Sequence, residues 1–197
     1  MKIFFVTGNK GKLLEASELL GTLGHNVVQF SHNGSIPEFS EPQSEGIEDV
    51  AISKMEQALG MIPGELDPDS AVIVEDSGLF IGSLGGFPGP YSSYVEDKLG
   101  LDGILRLMDG KTNRNAEYRA VVAFHHDGIT SIFRGTCEGS IGSDRRGDGG
   151  FGYDPIFIPR SSNGRSCAEM TASEKSAISH RGEALNKLLE FLSLPST

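Results

Sequence analysis

The stretch KIFFVTGNKGK, residues 2–12, decides the fold class, because its apolar first half and polar second half predict a strand that runs into a helix. The apolar run predicts a buried strand over 2–7, and leucine and alanine at helical spacing predict a helix over 11–23. A second apolar run predicts another strand over 26–30. A strand, a helix and a strand in this order are typical of α/β folds.

The rest of the chain repeats this alternation and then adds a hairpin. Apolar spacing predicts a helix over 47–61 and a short buried strand over 71–74. Two further strands, 117–125 and 129–137, flank an Asp-Gly pair at 127–128, which is a strong hairpin signal. The other predicted elements are a polar loop over 31–46, a helix over 101–108, a loop over 139–153, a strand over 156–158 and a helix over 180–192. We therefore expect an α/β sheet with an antiparallel portion.

The composition excludes several classes of protein. The chain has 197 residues, of which 38% are hydrophobic, and this suits a globular domain. It carries 17 basic and 27 acidic residues, and the net charge of −10 argues against binding to a nucleic-acid polymer. No apolar run is long enough for a signal peptide or a membrane span. Cys137 and Cys167 form no CxxC pair, so we expect a reduced, cytoplasmic protein, with a chance disulfide as the alternative.

The turn at Thr7–Lys12 has the chemistry of an anion site. Where a strand ends and a helix begins, free backbone N–H groups and the ammonium groups of Lys10 and Lys12 can bind a phosphate. The spacing is not that of a Walker A loop. An ordinary strand-to-helix turn with surface lysines is the alternative, which this stretch alone leaves open.

A second polar stretch, EDSG at residues 75–78, follows the buried strand 71–74. Its carboxylates can hold Mg²⁺ or take a proton from water, whereas Asp-Ser-Gly by itself is typical of a turn. Ligands of α/β sheets collect at the carboxyl ends of strands, where this stretch and residues 7–12 are both predicted to lie. Because Mg²⁺ is usually held by one or two carboxylates and by substrate phosphates, the pair of stretches predicts a metal–phosphate site. Glu38 and Glu41 on the polar loop offer a further carboxylate.

The stretch GFGYDP, residues 150–155, combines glycines, rings and a carboxylate. Its glycines let the backbone approach a flat ring closely. Phe151 and Tyr153 can stack on a base, and Asp154 can accept hydrogen bonds from ring N–H groups. The alternative is a mobile loop whose aromatic side chains only fill the core.

A basic cluster precedes the last predicted helix. Lys175, His180 and Arg181 bring positive charge and hydrogen-bond donors to this segment. Thr171 and Glu174 have the spacing of a capping box, so a helix start on a solvated face is the alternative.

Taken together, these stretches resemble the inosine triphosphate pyrophosphatase family, and the chain looks closest to its archaeal-type members. The matching motifs are TGNKGK (7–12), VEDSGL (74–79), GGFPGPYSS (85–93), GFGYDPIF (150–157) and EKSAISHRG (174–182). They follow the family's order and cover the chain from end to end. The resemblance implies one pyrophosphatase domain over 1–197, with an elongated mixed β-sheet and flanking helices that form two lobes around a deep active-site cleft.

The resemblance also implies the activity, which is hydrolysis of ITP, dITP and XTP to the monophosphate and pyrophosphate. It implies Mg²⁺ as cofactor and a cytoplasmic homodimer that clears these nucleotides from the pool. Asp76 is then expected to be catalytic as proton acceptor or metal ligand, and Glu38 is expected to be the second metal carboxylate, with Glu41 and Glu45 as alternatives. The expected substrate-binding residues are Thr7, Gly8, Asn9, Lys10, Gly11, Lys12, Ser77, Phe151, Gly152, Tyr153, Asp154, Lys175, His180 and Arg181.

Each of these groups has a chemical task in the hypothesis. Lys10 and Lys12 would neutralise the leaving pyrophosphate, and Asp76 would orient or deprotonate the attacking water. Arg181 would donate to the 6-oxo group of the base, and Asp154 would accept from N1–H, so that adenine leaves both unpaired. The competing hypotheses are a Maf-like pyrophosphatase, against which the full SHR and FGYDP set argues, and a nucleotide-binding sensor without turnover, against which the intact aspartate and lysine turn argue.

Overall fold

A computed structural model describes residues 1–62, 64 and 66–194 of the chain. Its strands are β1 (Lys2–Val6), β2 (Asn26–Gln29), β3 (Ser70–Ile81), β4 (Pro88–Gly89), β5 (Asn115–His126), β6 (Ile129–Ile141) and β7 (Phe157–Pro159). Its α-helices are α1 (Lys10–Gly21), α2 (Ile47–Gly60), α3 (Ser92–Leu107), α4 (Ala172–Ala177) and α5 (His180–Ser193). Within the described ranges, no helix has both the length and the apolar character that crossing a membrane requires.

The strands of this described part form one seven-stranded mixed sheet. Its order is β2-β1-β3-β5-β6-β7, and β4 pairs with β3. β1 runs parallel to both of its neighbours, with Ile3 opposite Val27 of β2 and Ala71 of β3. β4 is antiparallel to β3, and β7 is antiparallel to β6. The mixed α/β sheet predicted from the sequence is therefore confirmed.

Most predicted elements are confirmed with small changes at their ends. The strands β1, β2 and β7 and the helices α2 and α5 agree with their predicted ranges to within one residue at each end. The turn that joins β5 and β6 has φ values of 49° at Asp127 and 74° at Gly128. Positive φ at both central residues is what a two-residue turn of type I′ requires, so the Asp-Gly pair works as predicted.

The third strand is longer than predicted, because β3 continues through residues 75–78 and ends only at Ile81. The prediction that the strand stops at residue 74 is therefore wrong. Gly78 faces β4 so closely that a Cβ there would lie 2.2 Å from the Gly89 carbonyl oxygen. The next N–H, that of Leu79, donates to Ser92 Oγ at 2.8 Å. This glycine permits a close approach within the sheet and does not form a turn.

The third helix also begins earlier than predicted. α3 starts at Ser92, whereas apolar spacing predicted a helix only over 101–108. Gly100 lies inside it with φ 65° and ψ 179°, which is a kink between two helical segments. A glycine within a helical pattern lowers the sequence signal, and this explains why only the second segment was predicted.

Two compact units make up the structure. The first contains the described residues within 1–76, 121–134 and 183–194, and the second contains residues 77–120 and 135–182. The core of the second unit is a cluster whose fully buried side chains include Leu79, Ile81, Ile104, Met108, Ile156 and Phe157. In the first unit the buried side chains come mainly from β1, the first half of β3 and the inner faces of α1, α2 and α5, and they include Ile3, Phe5, Leu20, Met55, Ile73 and Leu188.

Candidate active site

The first predicted anion site lies where β1 runs into α1, in the first unit. Asn9 caps α1, and its Oδ1 accepts from the N–H groups of Gly11 at 2.8 Å and Lys12 at 3.2 Å. The Asn9 N–H donates to Thr7 Oγ1 at 3.1 Å. The expectation that these three N–H groups are free is wrong, because asparagine is a strong N-cap residue and its neighbours satisfy the turn from within. A phosphate here would have to compete with the Asn9 side chain.

Two further residues of this turn remain open to a ligand. Lys10 is exposed, and so is Gly8. A Cβ built at Gly8 meets no atom within 4 Å. The turn therefore offers one exposed ammonium group and open space beside the backbone.

A buried ion pair joins the same turn region to β3. Lys12 Nζ lies 2.6 Å from Glu75 Oε2, where the glutamate side chain is fully buried and that of the lysine is 18% exposed. Lys12 Nζ is also 3.5 Å from the Glu75 carbonyl oxygen. A buried carboxylate is strongly destabilising without a cation, so Glu75 holds Lys12 in place within the first unit.

Asp76, the predicted catalytic residue, shares a lysine with a second carboxylate. Lys54 of α2 places Nζ 3.4 Å from Asp76 Oδ2 and 2.6 Å from Glu41 Oε1. Burial raises the pKa of the Asp76 carboxyl, and the ammonium groups of Lys54 and Lys12 only partly offset that rise. Burial alone would lower the pKa of Lys54, but Asp76 and Glu41 together raise it. The carboxylates of Asp76 and Glu41 are thus held near each other by the ammonium group of Lys54.

The loop that carries Glu41 is fastened to α2. Gln57, one turn beyond Lys54, accepts from the Ser40 N–H at 2.9 Å and donates from Nε2 to the Ser40 carbonyl oxygen at 2.8 Å. Residues three apart on a helix share a face, so Lys54 and Gln57 lie on the same side of α2. Gln57 binds the loop backbone at Ser40, and Lys54 binds the Glu41 side chain. The predicted polar loop 31–46 is confirmed as a loop, with one isolated bridge between His32 and Ser35.

The carboxylates of the first unit suit a magnesium ion in their donor chemistry. Carboxylate oxygens are the protein ligands that Mg²⁺ prefers, and one or two of them are enough when phosphates complete the shell. Glu38, Glu41 and Glu45 are all exposed, but Glu41 contacts the same ammonium group as Asp76, that of Lys54. Across residues 1–62, 64 and 66–194, no three His, Cys, Asp or Glu side chains are grouped as metal ligands. The geometry therefore favours Glu41, one of the alternatives to Glu38, as the partner of Asp76.

In the second unit, Asp154 organises the glycine-rich loop. Its carboxylate is 2% exposed, accepts from the Phe151 N–H at 2.8 Å and pairs with Lys175 Nζ at 2.5 Å. Gly150 has φ 75°, and a Cβ there would lie 2.1 Å from Asp154 Oδ2. The loop is therefore shaped around a buried carboxylate, and Gly150 is the residue that allows the close approach.

The two aromatic side chains of this loop have different environments. Phe151 is 65% exposed, and Lys175 Nζ lies 4.4 Å from the centre of its ring. Tyr153 is 3% exposed, and its hydroxyl donates to the Ser92 carbonyl oxygen at 2.7 Å. Burial raises the pKa of Tyr153. The ring of Phe151 is thus largely exposed, while the ring of Tyr153 packs in the core.

The predicted basic cluster lies at the start of α5. Arg181 Nη2 is 3.5 Å from Ser77 Oγ, so the structure brings these two predicted substrate-binding residues together within the second unit. His180 stacks on Tyr118, with ring centroids 4.8 Å apart and an interplanar angle of 9°. The capping box is confirmed, because Thr171 Oγ1 accepts from the Glu174 N–H and the Glu174 carboxylate accepts from the Thr171 N–H. Gly152, with φ 63°, lies near Glu96 of α3.

Sequence reasoning missed Lys54 and Tyr118, and it missed the ion pair that Glu75 forms with Lys12. Lys54 lies on the buried face of α2, with its side chain 17% exposed, although a lysine in a helix is ordinarily a surface residue. Its only sequence signal is its position among the buried residues Val50, Ala51 and Met55 of α2. Glu75 gave a stronger signal, since a carboxylate that directly continues a buried strand needs a cation nearby.

The chain is similar in sequence to known proteins over nearly its whole length. The model of the Ham1 family matches residues 3–191 of the chain. A protein of Pyrococcus horikoshii named dITP/XTP pyrophosphatase is 47% identical over 192 residues, which cover 98% of this chain and 97% of that protein. A protein of the same name from Hyperthermus butylicus is 43% identical, over 96% of this chain and 94% of that protein.

Solved structures agree with these sequence matches. The Ham1 protein of Staphylococcus aureus superposes with a TM-score of 0.84 at 29% identity, over 98% of both chains. A HAM1 protein from Coxiella burnetii gives a TM-score of 0.84 at 31% identity, again over 98% of both chains.

Proposed function

The chain belongs to the Ham1 family, and on this premise we propose how it acts on its substrate. It is a nucleoside-triphosphate pyrophosphatase that hydrolyses the non-canonical purine nucleotides ITP, dITP and XTP to the monophosphate and pyrophosphate. The relatives named dITP/XTP pyrophosphatase match it over nearly their whole length, which supports the same reaction here. The reaction removes these nucleotides from the pool before they are used.

The proposal rests on one observation, the lysine–carboxylate cluster around Asp76. Lys12 and Lys54 each lie within 3.5 Å of a carboxylate oxygen of β3. Cleavage between the α and β phosphorus atoms needs positive charge near the leaving pyrophosphate, and phosphoryl chemistry depends mostly on positioning and electrostatics. Asp76 accepts a proton from the attacking water, which suits a carboxyl whose pKa is raised.

Asp76 and a second carboxylate would also hold Mg²⁺. There the ion would supply positive charge to the phosphate oxygens. Glu41 is supported as the second ligand by its ion pair with Lys54, whereas Glu38 rests on the sequence motif alone. Lys54 keeps the two carboxylates near one another, and its ammonium group would be available to a substrate phosphate if they held the metal.

The second unit recognises the base. The exposed ring of Phe151 stacks on it, and Arg181 donates to the 6-oxo group. Asp154 already has two partners, so acceptance from the base N1–H would compete with Lys175 and with the Phe151 N–H. Its main contribution is therefore to hold Lys175 and the loop. Adenine offers no 6-oxo acceptor to Arg181, and each unpaired buried donor costs about 1–3 kcal/mol.

The protein is further proposed to work as a homodimer in the cytoplasm. Tyr94 is 65% exposed on α3 and Tyr91 is 43% exposed just before it, which leaves large apolar surface in the second unit. Light scattering coupled to gel filtration should give twice the 21.1 kDa chain mass. A mass equal to that of one chain would contradict the dimer.

A panel of nucleotides tests the reaction. The purified protein with Mg²⁺ should release pyrophosphate from dITP, XTP and ITP, and kcat/KM for dATP should be lower by about 10- to 100-fold, since one unpaired donor costs about 1–3 kcal/mol. Product analysis should show the monophosphate and no diphosphate. Equal turnover of dATP and dITP, or release of single phosphates, would contradict the proposal.

A further inference from the structure

The loop that carries Phe151 is closed at its two ends. The N–H of Arg146 donates to the Pro155 carbonyl oxygen at 2.8 Å, so residues 146–155 leave and re-enter the second unit at one place. Four of these ten residues are glycine. Because glycine loses more conformational freedom on folding than any other residue, such a loop needs contacts from outside to keep one conformation.

The side chain of Arg146 makes contacts of this kind. Its Nη2 lies 3.1 Å from Glu169 Oε2 and 3.3 Å from Glu169 Oε1, and its Nη1 donates to the Gly164 carbonyl oxygen at 2.9 Å. The side chains of Arg146 and Glu169 are 38% and 30% exposed. An ion pair with this exposure contributes little by itself and more when it belongs to a network.

Ser166 connects the two partners into such a network. Its Oγ donates to the Arg146 carbonyl oxygen at 2.6 Å, and its N–H donates to Glu169 Oε2 at 2.7 Å. Ser166 itself is fully buried. The hydrogen bond from the Ser166 N–H and the charge of Arg146 lower the pKa of the Glu169 carboxyl, so the carboxylate is ionised at neutral pH. We call Arg146, Ser166 and Glu169 the loop clamp.

The backbone between Ser166 and Glu169 packs directly on the glycine-rich loop. The Gly149 N–H donates to the Ala168 carbonyl oxygen at 3.1 Å, and the Ala168 N–H donates to the Asp154 carbonyl oxygen at 3.2 Å. A Cβ at Gly147 would lie only 2.5 Å from the Ala168 carbonyl carbon. Ala168 therefore contacts both arms of the loop, and the loop clamp fixes the segment that carries Ala168.

We propose that Arg146 is a positioning residue for nucleotide binding, which holds the glycine-rich loop in the conformation that presents the Phe151 ring to the base. This inference rests on the proposed function, in which Phe151 stacks on the base. Arg146, Ser166 and Glu169 lie outside all five motifs that carry the family resemblance, so the role follows from their contacts. The expected effect is on binding, because a loop that is fixed before the ligand arrives loses less entropy when the ligand binds.

Steady-state kinetics with dITP test this role. Arg146→Gln should raise KM by about two- to fivefold, which is the range for an ion pair within a network. It should leave kcat within about twofold, because a loss of binding common to the ground state and the transition state changes KM alone. Arg146→Lys keeps the charge but cannot form the forked contact with Glu169, so its KM should lie between those of Arg146→Gln and the wild type.

The partner of the ion pair provides a second variant. Glu169→Gln should raise KM as Arg146→Gln does, and it carries the same expectation if Arg146→Gln does not fold. In a Glu169→Gln background, Arg146→Gln should add less than about twofold to KM, because the residue with which it pairs has already lost its charge.

Arg145→Gln is the matched control. Arg145 directly precedes Arg146, is 50% exposed and places Nη2 2.8 Å from Asp102 Oδ1 of α3. The substitution removes the same charge and a similar ion pair but leaves the loop clamp intact. Its KM should therefore equal that of the wild type. The control also corrects for any long-range attraction between an arginine and the anionic substrate.

Hydrogen exchange gives a readout that does not depend on activity. Amides within residues 147–155 should exchange faster in Arg146→Gln than in the wild type, because the hydrogen bonds of the Gly149 and Phe151 N–H groups open more often when the loop is released. Arg145→Gln should exchange there at the wild-type rate.

The outcomes separate the two proposals. If the wild-type protein hydrolyses no nucleoside triphosphate, the proposed function fails. If it hydrolyses dITP but Arg146→Gln and Arg145→Gln change KM alike, only the positioning role is overturned. Faster exchange in Arg146→Gln with an unchanged KM would overturn it as well, since the loop would then move without any effect on binding.

Discussion

Two aspartate–lysine pairs in this chain differ in how tightly they are held. Lys54 lies 3.4 Å from Asp76 and is shared with Glu41, and the side chains of Asp76 and Lys54 are 16% and 17% exposed. Lys175 lies 2.5 Å from Asp154, which also accepts from a backbone N–H. From these distances, we call Asp76–Lys54 the loosely held pair and Asp154–Lys175 the tightly held pair. The distance to the lysine and the side-chain exposure, 16% for Asp76 and 3% for Asp154, distinguish the two carboxylates.

The largest expected effect is on the loosely held pair. Asp76→Asn should keep the fold and reduce kcat for dITP by at least about 10²-fold, because an amide cannot take a proton from water. Pyrophosphate release measures the rate, and circular dichroism checks the fold. A variant with near-normal turnover would remove Asp76 from the catalytic role.

Removal of the shared cation should have the next largest effect. Lys54→Gln leaves Asp76 and Glu41 without their common partner, so we expect a loss of about 1–3 kcal/mol in the free energy of unfolding and at least tenfold lower kcat/KM. Lys187→Gln is the control, since Lys187 makes an exposed ion pair with Glu183 at 2.7 Å. Equal effects of the two substitutions on kcat/KM would show that Lys54 has no special part.

A substitution at Gly150 should disturb the tightly held pair, Asp154 and Lys175. Gly150→Ala puts a methyl group against Asp154 Oδ2 at a positive φ, and it should destabilise the fold by about 1–3 kcal/mol and raise KM. Gly164→Ala has a similar φ of 79° but meets no atom within 4 Å, so it shows the cost of the backbone angle alone. Urea unfolding should show the larger loss for Gly150→Ala. Equal losses would mean that Asp154 moves freely.

The smallest expected effect is on stability and concerns the capping box of Thr171 and Glu174, which precedes Lys175 of the tightly held pair. Hydrogen bonds from Arg165 and from the Thr171 N–H lower the pKa of Glu174 from 4.5 to about 2. A lowered folded-state pKa stabilises the fold above the unfolded value, and this contribution is lost as the pH falls from 4.5 towards 2. Glu174→Gln should therefore lower the melting temperature slightly at pH 7, by a margin that shrinks below pH 4.5. A margin that does not depend on pH would contradict the assigned cause.

Sequence reasoning reached the fold through elements with clear local signals. Alternating apolar runs, the Asp127-Gly128 turn and the capping box at Thr171 depend on neighbours in sequence, and the structure confirms them. It failed where a distant residue decides the outcome. The local sequence predicts a turn at Gly78, but the close contacts with Gly89 and Ser92 place it inside a strand.

The candidate site residues likewise divide into those with a local sequence signal and those that depend on distant contacts. The motifs around Asp76, Asp154 and Arg181 are contiguous in sequence and were found there. Lys54 and Tyr118 contact residues 22 and 62 positions away, and their local sequence does not tell which residues they contact. Asn9 is the opposite case, since its capping of α1 could have been predicted from its position before the helix.

One measurement tests the contrast between the two aspartates most directly, namely the separate effects of Asp76→Asn and Asp154→Asn on kcat and KM for dITP. We expect Asp76→Asn to lower kcat and change KM little, and Asp154→Asn to raise KM while kcat stays within about threefold, because the first removes transition-state chemistry and the second removes support for binding. Loss of kcat in both variants, with KM unchanged in both, would contradict the account.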